Sequence, residues 1–247
     1  MFGAILLCFM LLAGCGNTSN ESSNQPIVPT SEVGKTNENP TSTPSSAPTS
    51  LSLPGSTESN EKVVEALFQK VFQKYESGKD QEAIEILKEI VQIDPENWLA
   101  YANFPIILRG QVKNKVDKDD KETFLQIIDY CSKAIDIMNS DSAKPILVDG
   151  RTLNPEDFLW AVYVDRGLVN LKLGQLLGFI DTPSEQVDQA FEEAISDFSK
   201  AIDSDFIPED AKYQARHDRI LSSFAVGKEE NYKTIIEDST TIILEFG

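Results

Sequence analysis

The sequence predicts an all-α protein in which about four helix pairs form an array behind a disordered N-terminal segment. From residue 61 onward, apolar residues recur at spacings of three and four, which is typical of helices that bury one face. Residues 16–60 instead consist mainly of Ser, Thr, Asn and Pro. That segment buries too little apolar surface to offset the loss of chain entropy on folding, so we expect it to be disordered.

The chain begins with an apolar segment that predicts a secretory signal. Residues 2–14 carry no charged side chain. A helix of this length extends to only about 20 Å, which is less than the roughly 30 Å hydrocarbon core of a bilayer. We therefore interpret residues 1–14 as a signal peptide rather than as a permanent membrane span.

This signal peptide leads into Leu12-Ala13-Gly14-Cys15. The tetrapeptide resembles the lipobox of bacterial lipoproteins, in which an apolar residue and two small residues precede a cysteine. The resemblance implies that signal peptidase II cleaves between Gly14 and Cys15 and that the Cys15 thiol carries a diacylglycerol. The family pattern places Lys or Arg before the apolar run, and none is present here. The alternatives are an ordinary signal peptide or an uncleaved short anchor in which Cys15 is incidental.

The lipobox resemblance also implies a location. A bacterial lipoprotein lies outside the cytoplasm and is held to a membrane by its acyl chains, of which each buried CH₂ contributes about 0.8 kcal/mol. Gly16, rather than Asp, follows the cysteine, and this favours the outer membrane if the source is Gram-negative. In a Gram-positive source the protein would lie on the outer face of the cytoplasmic membrane.

Residues 15–60 form the lipidated end and a linker in this interpretation. About 45 flexible residues have a root-mean-square reach of roughly 35–40 Å, so the linker would hold a folded domain away from the membrane. A glycosylated or wall-crossing stalk is the alternative interpretation of the same composition.

The folded domain is predicted over residues 61–247, beginning with a clear helix pair. Ser59 or Asn60 is a candidate N-cap for the first helix, and Gly78 breaks that helix. The second helix is expected to end before Pro95, because proline cannot continue a helix and also restricts the residue before it. The apolar stripe of the first helix comprises Val64, Leu67, Phe68, Val71, Phe72 and Tyr75.

A later segment repeats the second helix of this pair. Residues 192–203 (EEAISDFSKAID) align without a gap with residues 82–94 (EAIEILKEIVQID), so that Ala194 corresponds to Ala83. A repeat at this scale is typical of arrays in which neighbouring helix pairs bury each other's apolar faces.

These segments resemble the tetratricopeptide-repeat family. The small-aromatic-small spacing of the second helix matches that repeat, and Tyr163, Gly167 and Gly174 match the aromatic, the first glycine and the turn glycine of its first helix. The resemblance covers residues 61–247 as about four degenerate units and implies an α-solenoid. Insertions at 112–121 and 175–190 depart from the family pattern. An unrelated all-α bundle is the alternative.

Composition and motifs exclude several function classes. The 40 acidic and 22 basic residues give a net charge of −18, which argues against nucleic acid as a partner, since binding phosphates needs a basic face. No Gly-rich phosphate loop is present, and His217 has no Cys or second His at metal-ligand spacing. Cys131 lies on the apolar stripe of its helix, which predicts a buried free thiol. We expect no catalytic residue, no metal and no cofactor. The tetratricopeptide resemblance implies that Arg166, in Asp165-Arg166-Gly167, is an ion-pair or packing residue, with a ligand role as the alternative.

The family resemblance also implies where a partner would bind. In tetratricopeptide repeats the first helices line a concave groove, and on the third unit the matching residues are Ala161, Val164, Leu168 and Lys172. These residues are mainly apolar and lack the charged set that clamps a terminal carboxylate. We therefore predict a non-catalytic scaffold that binds another protein or a peptide. An obligate subunit of an envelope or outer-membrane assembly complex is the alternative, and an envelope hydrolase is a less favoured one.

The lipobox interpretation makes Cys15 the lipid acceptor. We expect Cys15→Ala to abolish acylation, so that the protein is either released from membranes or left with its signal peptide uncleaved. Detergent-phase partitioning and mass measurement of the N-terminal peptide test this. A processed Cys15→Ala protein that still partitions into the detergent phase would contradict the interpretation.

Overall fold

The computed structural model describes residues 57–112, 120–180 and 182–246, and these ranges contain eight helices and one short β-hairpin. The helices are α1 (Thr57–Glu76), α2 (Asp80–Ile93), α3 (Trp98–Gln111), α4 (Asp120–Met138), α5 (Pro155–Phe179), α6 (Ser184–Ile202), α7 (Glu209–Val226) and α8 (Glu229–Phe246). The strands are β1 (Ile146–Val148) and β2 (Arg151–Leu153).

The all-α prediction is confirmed for this part of the chain. Each helix packs mainly against the helices before and after it, and the tightest association is between α5 and α6. The helices therefore form four consecutive pairs, α1–α2, α3–α4, α5–α6 and α7–α8. Cys15, the signal peptide and almost all of the linker lie outside the described residues.

The first pair follows the sequence prediction closely at its turn and its end. Gly78 separates the two helices and has a left-handed φ of +68°, which glycine adopts without the steric cost of a Cβ atom. Helix α2 ends at Ile93, where the backbone N–H of Asp94 donates to the Ile90 carbonyl. Helix α1 begins at Thr57, so Ser59 and Asn60 lie inside it, and their prediction as N-caps was wrong.

Helix α3 is buried on almost every side and anchors the second pair. It runs continuously from Trp98 to Gln111 through Pro105. The Asn97 side chain caps its start by accepting a hydrogen bond of 3.0 Å from the backbone N–H of Ala100. The Phe104 ring stacks on the Tyr130 ring of α4 with 4.0 Å between ring centres, and this contact joins the two helices.

A short β-hairpin between α4 and α5 was missed by the sequence analysis. Its turn is Asp149-Gly150, and both residues have positive φ, as a tight two-residue hairpin turn requires. The Trp98 ring N–H donates to the Lys144 carbonyl at 3.0 Å and so fixes the segment that leads into β1. An Asp-Gly pair flanked by apolar residues was the signal that could have identified the hairpin.

Two glycines of α5 leave space for aromatic rings of α6. A Cβ atom at Gly167 would lie 2.9 Å from the Phe198 ring, and one at Gly174 would lie 2.8 Å from the Phe191 ring. Helix α5 continues past Gly174 to Phe179, so the prediction of a turn at this glycine was wrong. A side chain at position 174 would collide with the Phe191 ring of α6, so only glycine fits there without a shift of that ring. The 175–190 insertion is mostly a lengthening of α5 and α6.

Helix α5 lies between two clusters of buried apolar side chains. Its residues Val162, Val169 and Leu173 belong to the larger cluster, which extends from α1 to α6. Trp160 and Leu171 belong to the second cluster, which α6 and α7 complete. The buried region is therefore continuous from the first pair to the fourth, as expected when neighbouring pairs cover one another.

The contact between Gly167 and Phe198 predicts opposite effects for the same substitution at two glycines. Gly178 also lies in α5, but a Cβ atom there would be 3.8 Å from its nearest neighbour, Val187. We expect Gly178→Ala to be neutral or to stabilise by up to about 1 kcal/mol, because alanine favours helices. Gly167→Ala forces the Phe198 ring to move and should cost about 1–3 kcal/mol.

Urea unfolding of the two variants measures this difference in the free energy of unfolding. Equal effects at Gly167 and Gly178 would show that the α5–α6 contact does not depend on a missing Cβ atom.

Candidate functional site

A polar cluster that joins α4, α5 and α6 is built around Arg166 on α5. Its Nε and Nη2 donate to the two carboxylate oxygens of Asp197 on α6 at 2.8 and 2.7 Å. Its Nη1 donates to the Ser132 hydroxyl on α4 at 2.9 Å. One guanidinium therefore ties its own helix pair to the preceding pair, with the two-pronged geometry that only arginine supplies.

The same cluster recurs one pair later. Arg219 on α7 donates through Nε and Nη2 to Asp238 on α8 at 2.8 and 2.6 Å. Its Nη1 donates to the Ser199 hydroxyl on α6 at 2.8 Å. Asp165-Arg166 and Asp218-Arg219 are the sequence signal of this repetition. The ion-pair interpretation of Arg166 is confirmed.

A third arginine joins the second and third pairs. Arg109 near the end of α3 forms an ion pair with Asp165, whose side chain is 5% exposed. Burial raises the pKa of the Asp165 carboxyl, and the Arg109 charge and hydrogen bond act against that rise. Burial also lowers the pKa of Arg166, but Asp197 more than offsets this and leaves the pKa of Arg166 raised. Arg166 therefore remains a cation throughout the physiological range.

A surface cavity of about 420 Å³ opens beside the Arg166 cluster. Its lining comes from three helices: Ile128 and Ser132 of α4, Arg166 and Asn170 of α5, and Glu193, Ser196, Asp197 and Lys200 of α6. Lys200 also lies over the Tyr163 ring, with its Nζ 5.2 Å from the ring centre. The lining offers cationic, anionic, hydroxyl and amide groups within one small volume.

Asn170 is the least satisfied residue of this lining. Its side chain is 1% exposed, and neither its Nδ2 nor its Oδ1 has a hydrogen-bond partner. A buried polar atom without a partner costs about 1–3 kcal/mol, and most buried polar groups in proteins are paired. The Asn170 amide therefore has an unused donor group and an unused acceptor beside the cavity, and both atoms are enclosed by the surrounding side chains.

The Cys131 thiol, next to the Arg166 cluster, is not activated as a nucleophile. Cys131 is fully buried on α4 as a free thiol, which confirms the sequence prediction. Burial raises the pKa of the Cys131 thiol well above its usual value, and the nearby Asp165 charge raises it further. The thiolate that would act as a nucleophile is therefore strongly disfavoured. Within the described ranges, no group of three His, Cys, Asp or Glu side chains could hold a metal ion.

The four predicted groove residues lie on a different side of α5 from the cavity. Residues two positions apart, such as Arg166 and Leu168, point about 200° apart around a helix. Ala161 is only 5% exposed and belongs to the second apolar cluster. Val164 and Leu168 are half-buried against that cluster, and Lys172 is half-buried. Most of the surface that could contact a partner on this side therefore belongs to the last three residues.

A second cavity of about 530 Å³ lies at the other end of the array. The start of α1, the turn between α2 and α3 and the strand β1 surround it. Val64, Ile93, Ile146 and Leu147 supply apolar surface, while acidic residues and Lys144 stand at its edge. Its position was not predicted, because the hairpin that forms one wall was missed.

A scan of protein-family models and a search of curated proteins each found no match to this chain. The tetratricopeptide and lipoprotein resemblances therefore remain predictions from the sequence.

The Arg166–Asp197 pair predicts a strongly non-additive pair of substitutions. Asp197 is 3% exposed, so Arg166→Met leaves a buried carboxylate without its counter-charge and should destabilise the protein by about 3–5 kcal/mol. The double variant Arg166→Met/Asp197→Leu removes that charge and should recover much of the loss.

Urea unfolding of both single variants and the double variant provides the measurement. A double variant whose loss equals the sum of the two single losses would show that the two side chains act independently.

Proposed function

We propose that this protein is a membrane-anchored bacterial lipoprotein whose helical array is a non-catalytic scaffold that binds another protein or a peptide. The consecutive helix pairs of the array support this proposal, and ion pairs of three arginines connect the last three of those pairs. Such arrays offer extended surfaces whose geometry is held by contacts between neighbouring pairs.

The anchor is proposed from the sequence at Cys15, which completes the lipobox. None of the helices described here is long and apolar enough to cross a membrane. Membrane attachment would then depend on the acyl chains, with residues 16–56 leading from the anchor to α1. The location outside the cytoplasm follows from the same lipobox proposal.

The observation that carries the binding proposal is the unpartnered amide of Asn170 in the Arg166 cavity. The N–H and C=O of one residue in an extended peptide, or a side-chain carboxamide, present a donor and an acceptor on the same side. Such a group can pair with both the acceptor and the donor of Asn170 once its amide turns toward the cavity. Each such bond removes a penalty that the unbound protein carries, and this gives the polar contact a net contribution to binding.

The size and charge of the cavity agree with a polypeptide ligand. A volume of about 420 Å³ is near the lower end of small-ligand sites, so it suits one or two residues of a chain rather than a large cofactor. Lys200 and Glu193 place opposite charges at the rim and can orient a polar segment by its own charges. The proposed tetratricopeptide relationship agrees with this function, since the resemblance implies a peptide-binding family.

The second candidate is an obligate subunit of an envelope assembly complex. The exposed apolar residues of α8 favour it, because Ile236 is 65%, Ile243 68% and Leu244 79% exposed. Contiguous apolar surface of this kind marks a protein contact in a soluble domain.

The test compares partners crosslinked in the native envelope to the full chain and to four variants. Asn170→Leu removes both polar side-chain atoms of Asn170, and Asn103→Leu makes the same change at another buried asparagine, on α3. Lys172→Glu changes the predicted groove, and Lys133→Glu reverses a charge at an exposed position of α4. Quantitative mass spectrometry measures how much of each partner is recovered.

We expect Asn170→Leu to reduce recovery of the partner at least tenfold, while Asn103→Leu and Lys133→Glu leave it unchanged. Loss with Lys172→Glu alone would place binding in the predicted groove instead. Equal recovery from all four variants would contradict binding at either surface.

A further inference from the structure

The second helices of the last three pairs carry the same short stripe. Each presents an isoleucine, a hydroxyl residue four positions later and an isoleucine three positions after that. Asp197 and Asp238 set the register, since both receive an arginine in the same geometry and both precede the hydroxyl residue by two positions. The stripes are Ile128, Ser132 and Ile135 on α4, Ile195, Ser199 and Ile202 on α6, and Ile236, Thr240 and Ile243 on α8.

On α4 and α6 a helix of the next pair lies against the stripe, which leaves the first isoleucine half-buried and the last one buried. Arg166 of α5 donates to Ser132, and Arg219 of α7 donates to Ser199. The last isoleucines of these two stripes, Ile135 and Ile202, are 6% and 9% exposed. The stripe is therefore the surface through which one helix pair receives the next.

On α8 the same stripe is open. Ile236 and Ile243 are 65% and 68% exposed, and Thr240 is exposed between them. No helix of the described part of the chain lies on this face. Burying apolar surface stabilises a protein by about 25 cal/mol per Å². The two exposed isoleucines of α8 do not make this contribution, whereas the equivalent residues of α4 and α6 do.

Helix α1 has the matching surface at the other end of the array. Gly78 and Gly227 both follow the first helix of a pair with a left-handed φ. Lys70 lies eight residues before Gly78, just as Arg219 lies eight residues before Gly227. Ala66 and Ala215 correspond in the same way, since each lies twelve residues before its glycine. Ala215 is fully buried in the second apolar cluster, whereas Ala66 and Lys70 are exposed.

Charge and shape also suit a contact between α1 and α8. Helix α8 contains Glu229, Glu230 and Glu237 and one basic residue, Lys233, besides Asp238 and Glu245, which pair with Arg219 and Arg216 of α7. The outer face of α1 has a shallow depression of about 410 Å³ lined by two basic residues, Lys62 and Lys70, one acidic residue, Glu89 of α2, and the apolar Val63, Ala66 and Leu67. Two α8 helices placed face to face would bring like charges together, which is unfavourable.

We propose that copies of this chain associate head to tail, with α1 of one copy covering the Ile236–Thr240–Ile243 stripe on α8 of the next. Lys70 would then take the position that Arg166 and Arg219 occupy within the chain, close to Thr240. A head-to-tail contact of this kind does not close on itself in a pair, so it extends into longer assemblies as concentration rises.

Sedimentation velocity of the full chain in nonionic detergent tests this directly. The variants are Ile236→Lys, which blocks the α8 surface, and Lys70→Glu, which blocks the α1 surface. Lys133→Glu carries the same charge change as Lys70→Glu at an exposed position of α4 and is the matched control. Circular dichroism checks that the exposed substitutions leave the helices intact.

We expect the mass of the wild-type and Lys133→Glu proteins to increase steadily with concentration, while each blocked variant alone stays monomeric. An equimolar mixture of Ile236→Lys and Lys70→Glu keeps one intact surface of each type and should stop at a one-to-one dimer. A wild-type protein that stays monomeric at every concentration would overturn the proposal and leave the stripe to another occupant. A Lys70→Glu variant that assembles like the wild type would also overturn it.

Discussion

Buried arginine–aspartate pairs connect the last three helix pairs of this protein. Arg166 and Arg219 each bind an aspartate within their own pair and a serine of the preceding pair, and Arg109 reaches forward to Asp165. Buried ion pairs add little net stability, because desolvation offsets much of their attraction. Their geometric demands are strict, however, since a guanidinium that binds three fixed oxygen atoms permits only one register between helices. The apolar clusters supply most of the stabilisation, and the arginines determine how successive pairs stack.

The same arrangement accounts for the two surfaces on which the functional proposals rest. The Arg166 cavity lies where α4, α5 and α6 meet, and its lining includes all three partners of the ion-pair cluster. Its shape is therefore as rigid as the packing of those helices, which is what a binding site needs in order to avoid ordering costs. The open stripe on α8 is the surface that α4 and α6 use to receive the next pair. One repeated contact thus explains both a polar site inside the array and an apolar site at its end.

The sequence predicted the elements whose causes are local. Gly78 follows its helix with a positive φ, and α2 ends before Pro95, because backbone sterics decide these positions without help from distant residues. Gly174 has no such local cause. Its small size matches a turn glycine equally well, but Phe191 from another helix occupies the space beside it. Asn170 was missed for a similar reason, since an unpartnered amide is a property of the surrounding helices and not of its neighbours in sequence.

The sequence by itself determined the all-α class, the pairing of helices over most of the chain and the burial of Cys131, and it left an ion pair as one of the roles open to Arg166. Apolar periodicity and turn residues act over a few positions, so they are readable along the chain. The tertiary structure alone decided which aspartate and which serine each arginine binds, where the cavities open, and that the stripe on α8 is exposed while its counterparts on α4 and α6 are covered. Those outcomes depend on distances between residues far apart in sequence, and only the packed helices bring them together.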